Sequence, residues 1–486
     1  MSSKPNIIFI MSDQQRFDTI REFGFDYMHT PNLDALAKKG TMFSNTFTNG
    51  ATCVVSRASL FTGMHPHNTG VYTFDNWSHQ RTWIQDLSEA GYYCVNIGKM
   101  HVQPRDEPAG FHERFVVENP TSKFVEHGQK DDEWGGYLST HGKERPNDRH
   151  LKQPDWKNLY QSVPWELDEH LHPDIFVGDK ATEWINEYTG TDPFFLQIGF
   201  TGPHEPYDPL ERHLDLYLRE DVPSGIWMEK ELTEKPPQHL AHQTFHDQIN
   251  HESTIAMKHA SQNDIQEMRR HYFAKVSMID EKIGEIMDAL DQKGYLENAV
   301  VIFTSDHGDM LGDHKLPYKW LMYDSIVHVP MIVWDTRMDR SASKKQTQAL
   351  VSLIDIGPTL LTYAGISPPD YLEGSPFNSL LEQQSEDKLH EFVFCQDNYL
   401  TMIRSHTHKM VYYTEQQDSG ELYDLIEDPD ELNNLFSHKE YSGIKQKMKD
   451  ALLNWLLKST YLSAPYHNLE YQKKRRRPVP PYFLHS

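Results

Sequence analysis

Short apolar runs, rich in β-branched and aromatic residues, recur along the chain and are typical of buried strands. Four stand out, at residues 7–11, 194–200, 300–304 and 329–334. Amphipathic segments lie between them: residues 32–39 end at Gly40, and residues 272–290 place apolar side chains on one helical face. This alternation predicts an α/β fold in which a mostly parallel central sheet is flanked by helices.

Polar side chains lie just after three of these runs. Asp13 follows the first run, His204 follows residues 194–200, and Asp306 and His307 follow residues 300–304. One such aspartate alone would more often be a helix cap or a loop contact. Ligands of parallel α/β sheets gather beyond the carboxyl ends of the strands, so three polar strand ends together predict one functional site.

The rest of the chain divides into long excursions and a different C-terminal part. Residues 102–175 and 205–262 show little periodicity and are predicted to form surface lids or binding loops. Their tryptophans, which could stack on a sugar or aryl ring or simply pack, are Trp134, Trp156, Trp165 and Trp227. The pattern changes after Pro368 and Pro369, and the apolar runs FVFCQ, YLTMIRS and KMVYYT, beyond about residue 380, predict a small antiparallel sheet. We therefore expect a catalytic domain at residues 1–378 and a smaller α+β domain at residues 379–486.

Charge and composition exclude several classes of partner. The 486 residues include 71 Asp and Glu against 47 Lys and Arg, a formal net charge of -24, which repels nucleic acid and anionic membranes. We expect neither as a partner. The apolar run near the N-terminus is too short for a signal peptide, and the 3 cysteines favour a reducing compartment, so a cytoplasmic location is expected. The basic block at residues 473–477 is predicted to be a solvated or intersubunit tail, and a homo-oligomer stays open.

The segment CVVSRASLFTG, residues 53–63, carries the most specific signal. It resembles the signature of the formylglycine-dependent sulfatases, Cys-x-Pro-Ser-Arg followed by x-x-Leu-x-Thr-Gly, whose cysteine is oxidised after translation. The resemblance continues in order through PNIIFIMSDQQ, TPNLDALAKKG, GKMH, TGPHEPY, TSDHGDMLGDH, DIGPTLLTYAGI and GELYDLIEDPDELNNL. On these motifs the chain is identified as a member of the sulfatase and phosphonate monoester hydrolase branch of the alkaline phosphatase superfamily.

The resemblance implies an alkaline-phosphatase-like fold and one bound divalent metal ion. Its ligands would be Asp13, Gln14, Asp306 and His307, together with the modified side chain at Cys53. Hard oxygen ligands favour Ca²⁺, with Mg²⁺ and Mn²⁺ as alternatives, and the imidazole of His307 shifts the preference toward Mn²⁺ or another transition metal.

The resemblance also implies catalytic roles. Fixed positive charge for the developing negative charge would come from Arg57, Lys99 and Lys319. One hydroxyl of the hydrated formylglycine made from Cys53 would attack sulfur and expel the alcohol, leaving a covalent sulfate ester. His101 would deprotonate the second hydroxyl, so that the aldehyde re-forms and sulfate leaves. His204 and Lys319 would bind the ester and protonate the leaving oxygen.

The implied partners are a sulfate ester and a formylglycine-generating maturation enzyme. The ester would be a sulfated monosaccharide, a short saccharide, or an aryl or alkyl sulfate. Val55 stands where the signature has proline, and maturation enzymes read the motif around the cysteine, so conversion of Cys53 stays open. Two alternatives follow: a phosphonate monoester or phosphodiester hydrolase, which the Asp-Gln and Asp-His pairs favour, and a binding pseudoenzyme with an unmodified thiol.

Overall fold

The computed structural model describes residues 4–120, 130–146, 152, 155–156, 158–229, 231–249, 256–414 and 419–467. Within these ranges the main sheet has nine strands: Asn6–Asp13 (β1), Thr41–Phe47 (β2), Tyr93–Gly98 (β3), Glu113–Val116 (β4), Phe194–Pro203 (β5), Ala299–Ser305 (β6), His328–Asp335 (β7), Gln346–Thr347 (β8) and Val351–Ser352 (β9). The four apolar runs predicted to be strands form β1, β5, β6 and β7.

The strand order is β4-β3-β5-β1-β6-β7-β2-β8, with β9 paired to β2. Strand β7 runs antiparallel to β6 and β2, and the other pairs are parallel. The predicted mostly parallel α/β sheet is therefore confirmed. Its centre is β1, with β5 on one side and β6 on the other.

Helices cover both faces of this sheet. They are Pro31–Lys39 (α1), Cys53–Thr62 (α2), Pro66–Thr69 (α3), Trp83–Glu89 (α4), Glu133–Thr140 (α5), Pro173–Glu187 (α6), Glu211–Leu214 (α7), Glu231–Glu234 (α8), Pro237–Thr244 (α9), Gln262–Gln292 (α10), Asp324–Val327 (α11), Ile356–Tyr363 (α12) and Ser442–His467 (α13). Successive residues of β1 point to opposite faces. Ile7 and Phe9 join a core with α2, α4 and α12, whereas Ile8 and Ile10 join a core with α1, α6 and α10.

The C-terminal part contains a second sheet of four antiparallel strands. These are Val393–Asp397 (β10), Leu400–Arg404 (β11), His408–Tyr413 (β12) and Gly420–Asp424 (β13). On one face Met402 packs in a core with Phe47 of the main sheet, and on the other Met410 packs under α13 through Met448. The predicted antiparallel sheet is confirmed, and the domain boundary at residue 378 stays a prediction.

Three of the four tryptophans in the excursions pack in the interior. Trp134, Trp156 and Trp165 are buried, and the indole N–H of Trp134 donates to Leu171 O at 2.9 Å. Trp227 is half-buried beneath the ammonium of Lys315. Burial therefore favours packing over ligand stacking for the first three. Among the described helices, none is long and apolar enough to cross a membrane, and the basic block at 473–477 lies outside the described residues.

Candidate active site

The polar strand ends predicted to form a site do converge. Strand β1 ends at Asp13, and β1 pairs in parallel with both β5 and β6. His204 directly follows β5, and Asp306 and His307 directly follow β6. Because the three strands are adjacent and point the same way, these four side chains share one edge of the sheet.

Cys53 is the first residue of α2 and is buried at this edge. The helix begins after Thr52, whose hydroxyl does not cap it but donates instead to Asp397 Oδ2 at 2.8 Å. The chain approaches α2 closely at Gly50, where a Cβ atom would lie 2.6 Å from the Ser56 nitrogen. The positive end of the helix dipole is therefore directed at residue 53, where it favours a bound anion.

Arg57, one turn further along α2, joins the two aspartates of the site. Its Nε donates to Asp306 Oδ2 at 2.7 Å, its Nη2 to Asp13 Oδ2 at 2.9 Å and its Nη1 to Lys99 O at 2.8 Å. The Ser56 hydroxyl also donates to Asp306 O at 2.7 Å. The side chains of Arg57, Asp13 and Asp306 are all fully buried. Arg57 thus fixes the relative position of β1, β6 and the helix that carries Cys53.

Two lysines bring further positive charge. Lys99 Nζ lies 2.6 Å from Asp13 Oδ2, and Lys319 Nζ donates to Gln14 Oε1 at 2.6 Å. Burial raises the pKa of the Cys53 thiol, but the charges of Lys319 and Lys99 outweigh that effect and hold the pKa below its usual value. The surroundings of residue 53 therefore stabilise negative charge.

The donor set at the strand ends fits a divalent cation. Asp13, Asp306 and His307 each offer a ligand atom, and the three atoms lie within 4.8 Å of one another. Among the described residues, Asp13 Oδ1 and His307 Nε2 are buried and make no hydrogen bond. An unsatisfied buried polar atom costs about 1–3 kcal/mol. A metal ion bound by Asp13 Oδ1, His307 Nε2 and Asp306 would explain why the first two atoms have no hydrogen-bond partner.

The two predicted catalytic histidines lie in this region as neutral imidazoles. Burial, together with the charge of Lys99, lowers the pKa of His101 to about 4, and its Nδ1 has no hydrogen-bond partner in the described part of the chain. Burial also holds the pKa of His204 well below its usual value. His204 Nδ1 lies 2.8 Å from Glu205 O, which can only accept, so Nδ1 carries the proton. Nε2 is then the acceptor, 3.2 Å from Asn119 Nδ2.

Sequence reasoning missed several residues around the centre. Asn119 accepts from Lys99 Nζ at 2.7 Å and contacts His204, and no motif marked it. Asp397 comes from β10, and its position at the end of a predicted strand was the only signal; burial raises its pKa to about 7. Glu205 and Asp309 both bond to Gln14.

Other polar residues near the motifs have structural partners. Asp313 pairs with Arg16 at 2.8 Å and with Arg269 at 2.6 Å, and His314 contacts Glu231 at 2.5 Å.

The mostly parallel sheet offers cation ligands at the carboxyl ends of its strands, beside a cysteine at the start of a helix and two buried lysines. This arrangement is suited to bind an ester with an anionic group and to stabilise the charge that develops when it is cleaved. The family model described as "Sulfatase" matches residues 5–366, and that described as "N-sulphoglucosamine sulphohydrolase, C-terminal" matches residues 312–458. The chain belongs to the sulfatase family and is a sulfuric ester hydrolase.

Individual relatives agree with this assignment. The chain is 32% identical to an arylsulfatase of Clostridium perfringens over 90% of this chain and 91% of that protein. It is 28% identical to arylsulfatase K of Mus musculus over 98% of this chain and 83% of that protein. The solved phosphonate monoester hydrolase of Agrobacterium radiobacter has the same fold, with a TM-score of 0.80 at 22% identity over 94% of this chain and 96% of that one.

Proposed function

We propose that the chain is a metal-dependent sulfatase that hydrolyses a sulfate ester through a formylglycine made from Cys53. One observation carries the proposal. Cys53 begins α2 among buried cationic groups, while Arg57 of the same helix is bonded to Asp13 and Asp306, the two carboxylates that end or follow strands β1 and β6. A thiol with a purely structural role does not require this arrangement.

The proposed metal ligands are Asp13, Gln14, Asp306 and His307, with the modified residue 53 completing the set. The unpartnered Asp13 Oδ1 and His307 Nε2 support the first and last of these. The carboxylate and amide oxygens suit Ca²⁺, with Mn²⁺ and Mg²⁺ as alternatives. When present, the metal supplies Lewis-acid polarisation of the ester, and the formylglycine supplies the hydroxyl nucleophile.

The other side chains bind the ester and handle protons. Lys99 and Lys319 are proposed to stabilise the negative charge that develops on the sulfuryl oxygens and the leaving oxygen. Of the two general-acid candidates, Lys319 carries the proton, since burial leaves His204 neutral with Nε2 as an acceptor. His101, also neutral and with Nδ1 unpaired among the described residues, is suited to accept a proton from residue 53.

The proposed substrate is a monoester of sulfuric acid with a sugar or an aryl or alkyl alcohol. Two of the relatives described above are called arylsulfatases. The maturation enzyme that makes formylglycine is the proposed protein partner.

Peptide mass spectrometry tests the proposal directly. Trypsin releases residues 40–57 as one peptide that contains Cys53. In protein purified from its own host we expect the mass of an aldehyde or its hydrate in place of the thiol, and metal-dependent hydrolysis of an aryl sulfate. An intact thiol in every copy would rule out formylglycine catalysis and move the binding-protein alternative ahead.

A second function has specific support. The Gln14 and His307 positions, with the fold shared with phosphonate monoester hydrolase, favour a phosphonate monoester or phosphodiester as substrate. Rates on an aryl sulfate and an aryl phosphodiester, measured side by side on one matured sample, separate the two. A large preference for the phosphodiester would replace the sulfatase proposal.

A further inference from the structure

The backbone and the side chain of Gln14, which follows β1, are both fixed by hydrogen bonds to residues far away along the chain. Its backbone N–H donates to Asp306 Oδ1 at 3.0 Å, and its carbonyl accepts from the Tyr272 hydroxyl at 2.5 Å. Its φ angle is 68°, in the left-handed region that costs a side-chain-bearing residue free energy. Contacts from two distant elements thus hold an unfavourable backbone conformation beside the centre.

The side-chain amide of Gln14 has partners on both of its ends. Oε1 accepts from Lys319 Nζ at 2.6 Å, and Nε2 donates to Glu205 Oε2 at 2.8 Å and to Asp309 Oδ2 at 2.5 Å. Rotating the amide by half a turn would place its oxygen against two carboxyl groups and its N–H groups against an ammonium. All three hydrogen bonds would be lost, so only one orientation of the amide is compatible with its surroundings.

The two carboxyl groups are costly to keep where they are. Glu205 and Asp309 are buried, so each needs hydrogen bonds to its oxygens in place of water. Asp309 is itself fixed, because the Tyr207 hydroxyl donates to its Oδ2 at 2.7 Å and the Leu311 N–H to its Oδ1 at 2.8 Å. A buried carboxyl group is costly unless it is paired or hydrogen-bonded, and the Gln14 amide donates to both of these groups.

The oxygen end of the amide faces the catalytic centre. It bonds to Lys319, whose buried ammonium interacts electrostatically with Cys53, Asp13 and Asp306. A cation bound between the strand ends needs oxygen from Gln14, since an amide nitrogen does not ligate hard cations.

We propose that Glu205 and Asp309 are positioning residues that orient the Gln14 amide so that its oxygen is presented to the metal. The inference rests on the metal site of the proposed function. It adds that the binding affinity depends on two carboxyl groups that are not ligands, in the way outer-shell partners tune metal sites.

Calcium titration of EDTA-treated full-length protein by isothermal calorimetry tests the inference. In Glu205→Gln and in Asp309→Asn, the new amide can face Gln14 with either end, so one of the three contacts that fix the orientation of Gln14 is lost. We expect Ca²⁺ affinity to fall on the order of 10–100-fold in each. Glu211→Gln, an exposed site on α7, is the matched control and should bind like the parent.

A double-mutant cycle separates orientation from lost charge. Gln14→Glu presents oxygen at both ends and needs no orienting partner, so Glu205→Gln should weaken Ca²⁺ binding far less in that background than in the parent. A plain charge effect would persist unchanged in both backgrounds. The thermal midpoint of each metal-free variant confirms that it is folded.

Three results would overturn the inference. Parent-like Ca²⁺ affinity in both Glu205→Gln and Asp309→Asn would remove it and leave the proposed function standing. Equal losses with and without Gln14→Glu would assign the effect to charge alone. A parent protein that binds neither Ca²⁺ nor Mn²⁺ would refute the metal-dependent function as well.

Discussion

Replacing Arg57 by methionine should destabilise the protein far more than the same change at Arg81, although each arginine bonds two carboxylates. Arg57 bonds Asp306 and Asp13, and its side chain is 0% exposed. Arg81 bonds Asp86 and Glu89 at 2.6 and 2.7 Å, and its side chain is 36% exposed. Methionine keeps most of the apolar stem, so the comparison isolates the guanidinium.

The expected magnitudes follow from burial. Removing one partner of a buried ion pair costs about 3–5 kcal/mol, since the remaining charge is left uncompensated. Asp13 would keep Lys99 at 2.6 Å, and Asp306 would keep two backbone N–H donors, so we expect the lower end of that range. An exposed pairing contributes about 0–1 kcal/mol, and Arg81→Met should lose no more than that.

Urea denaturation followed by tryptophan fluorescence, in EDTA, measures both variants against the parent protein. Equal slopes with a lower midpoint for Arg57→Met would report a true loss of stability. Adding Ca²⁺ should recover part of the deficit, because a bound cation neutralises the same two carboxylates. The reasoning is refuted if the two variants differ by less than about 1 kcal/mol, well inside the separation that burial requires.

Three further changes have definite expected outcomes. Val55→Pro restores the proline of the signature and lies in the first turn of α2, where no intrahelical N–H bond is lost, so the helix should tolerate it. On co-expression with a maturation enzyme, a larger fraction of Cys53 should be converted, as the mass of the peptide would show. Ala58→Pro, inside the helix, is the contrasting change and should cost about 3 kcal/mol of stability. Burial lowers the pKa of His65 to about 4, whereas a histidine of the unfolded chain has a pKa near 6.5. The contribution of neutral His65 to stability is therefore complete above pH 6.5 and declines as the pH falls toward 4. Urea midpoints of His65→Gln should depend less on pH between 6.5 and 4 than those of the parent protein. Asp306→Ala should abolish both turnover and the Ca²⁺-induced rise in thermal midpoint, and a preserved rise would remove Asp306 from the ligand set.

The strands that meet at the site could be predicted because two local signals coincide. The runs that became β1 and β6 are continuous and apolar, the run of β5 is interrupted only by Gln197, and a polar residue of the site lies within four residues after each. Parallel strands buried on both faces have this pattern. Strand β3, a short run that contains the polar Asn96, was not among the predicted strands. The structure shows that Asn96 is buried and bonds Gln197 of β5, a partner 101 residues away.

The residues that surround the proposed ligands could not be predicted from the sequence, because they too make contacts with residues far away along the chain. Gln14 was predicted as a ligand from the family resemblance, but its orientation depends on Glu205 and Asp309, which lie 191 and 295 residues further on. Asp397 reaches the site from the second sheet. Such contacts follow from tertiary packing, and no periodicity within a short window encodes them.

Charge balance gives a last prediction about substrate class. Fully ionised, the side chains that pair with one another around Arg57 and Gln14 are four buried carboxyl groups and three buried cationic groups, namely Asp13, Asp306, Glu205 and Asp309 against Arg57, Lys99 and Lys319; Asp397 lies outside this set because it bonds Thr52. Adding a divalent ion leaves one net positive charge. A sulfate monoester or a phosphodiester, each with one negative charge, would neutralise it, whereas a phosphate monoester dianion would leave an uncompensated negative charge in a buried site.

The matured enzyme should therefore turn over an aryl sulfate or an aryl phosphodiester with a kcat/KM at least tenfold above that for the corresponding aryl phosphate at pH 8, where the phosphate monoester is fully dianionic. A preference for the monoester would mean that Glu205 or Asp309 is protonated in the active form. In that event Glu205→Gln should leave the order of preference unchanged, whereas under the ionised arrangement it should shift the preference toward the dianion.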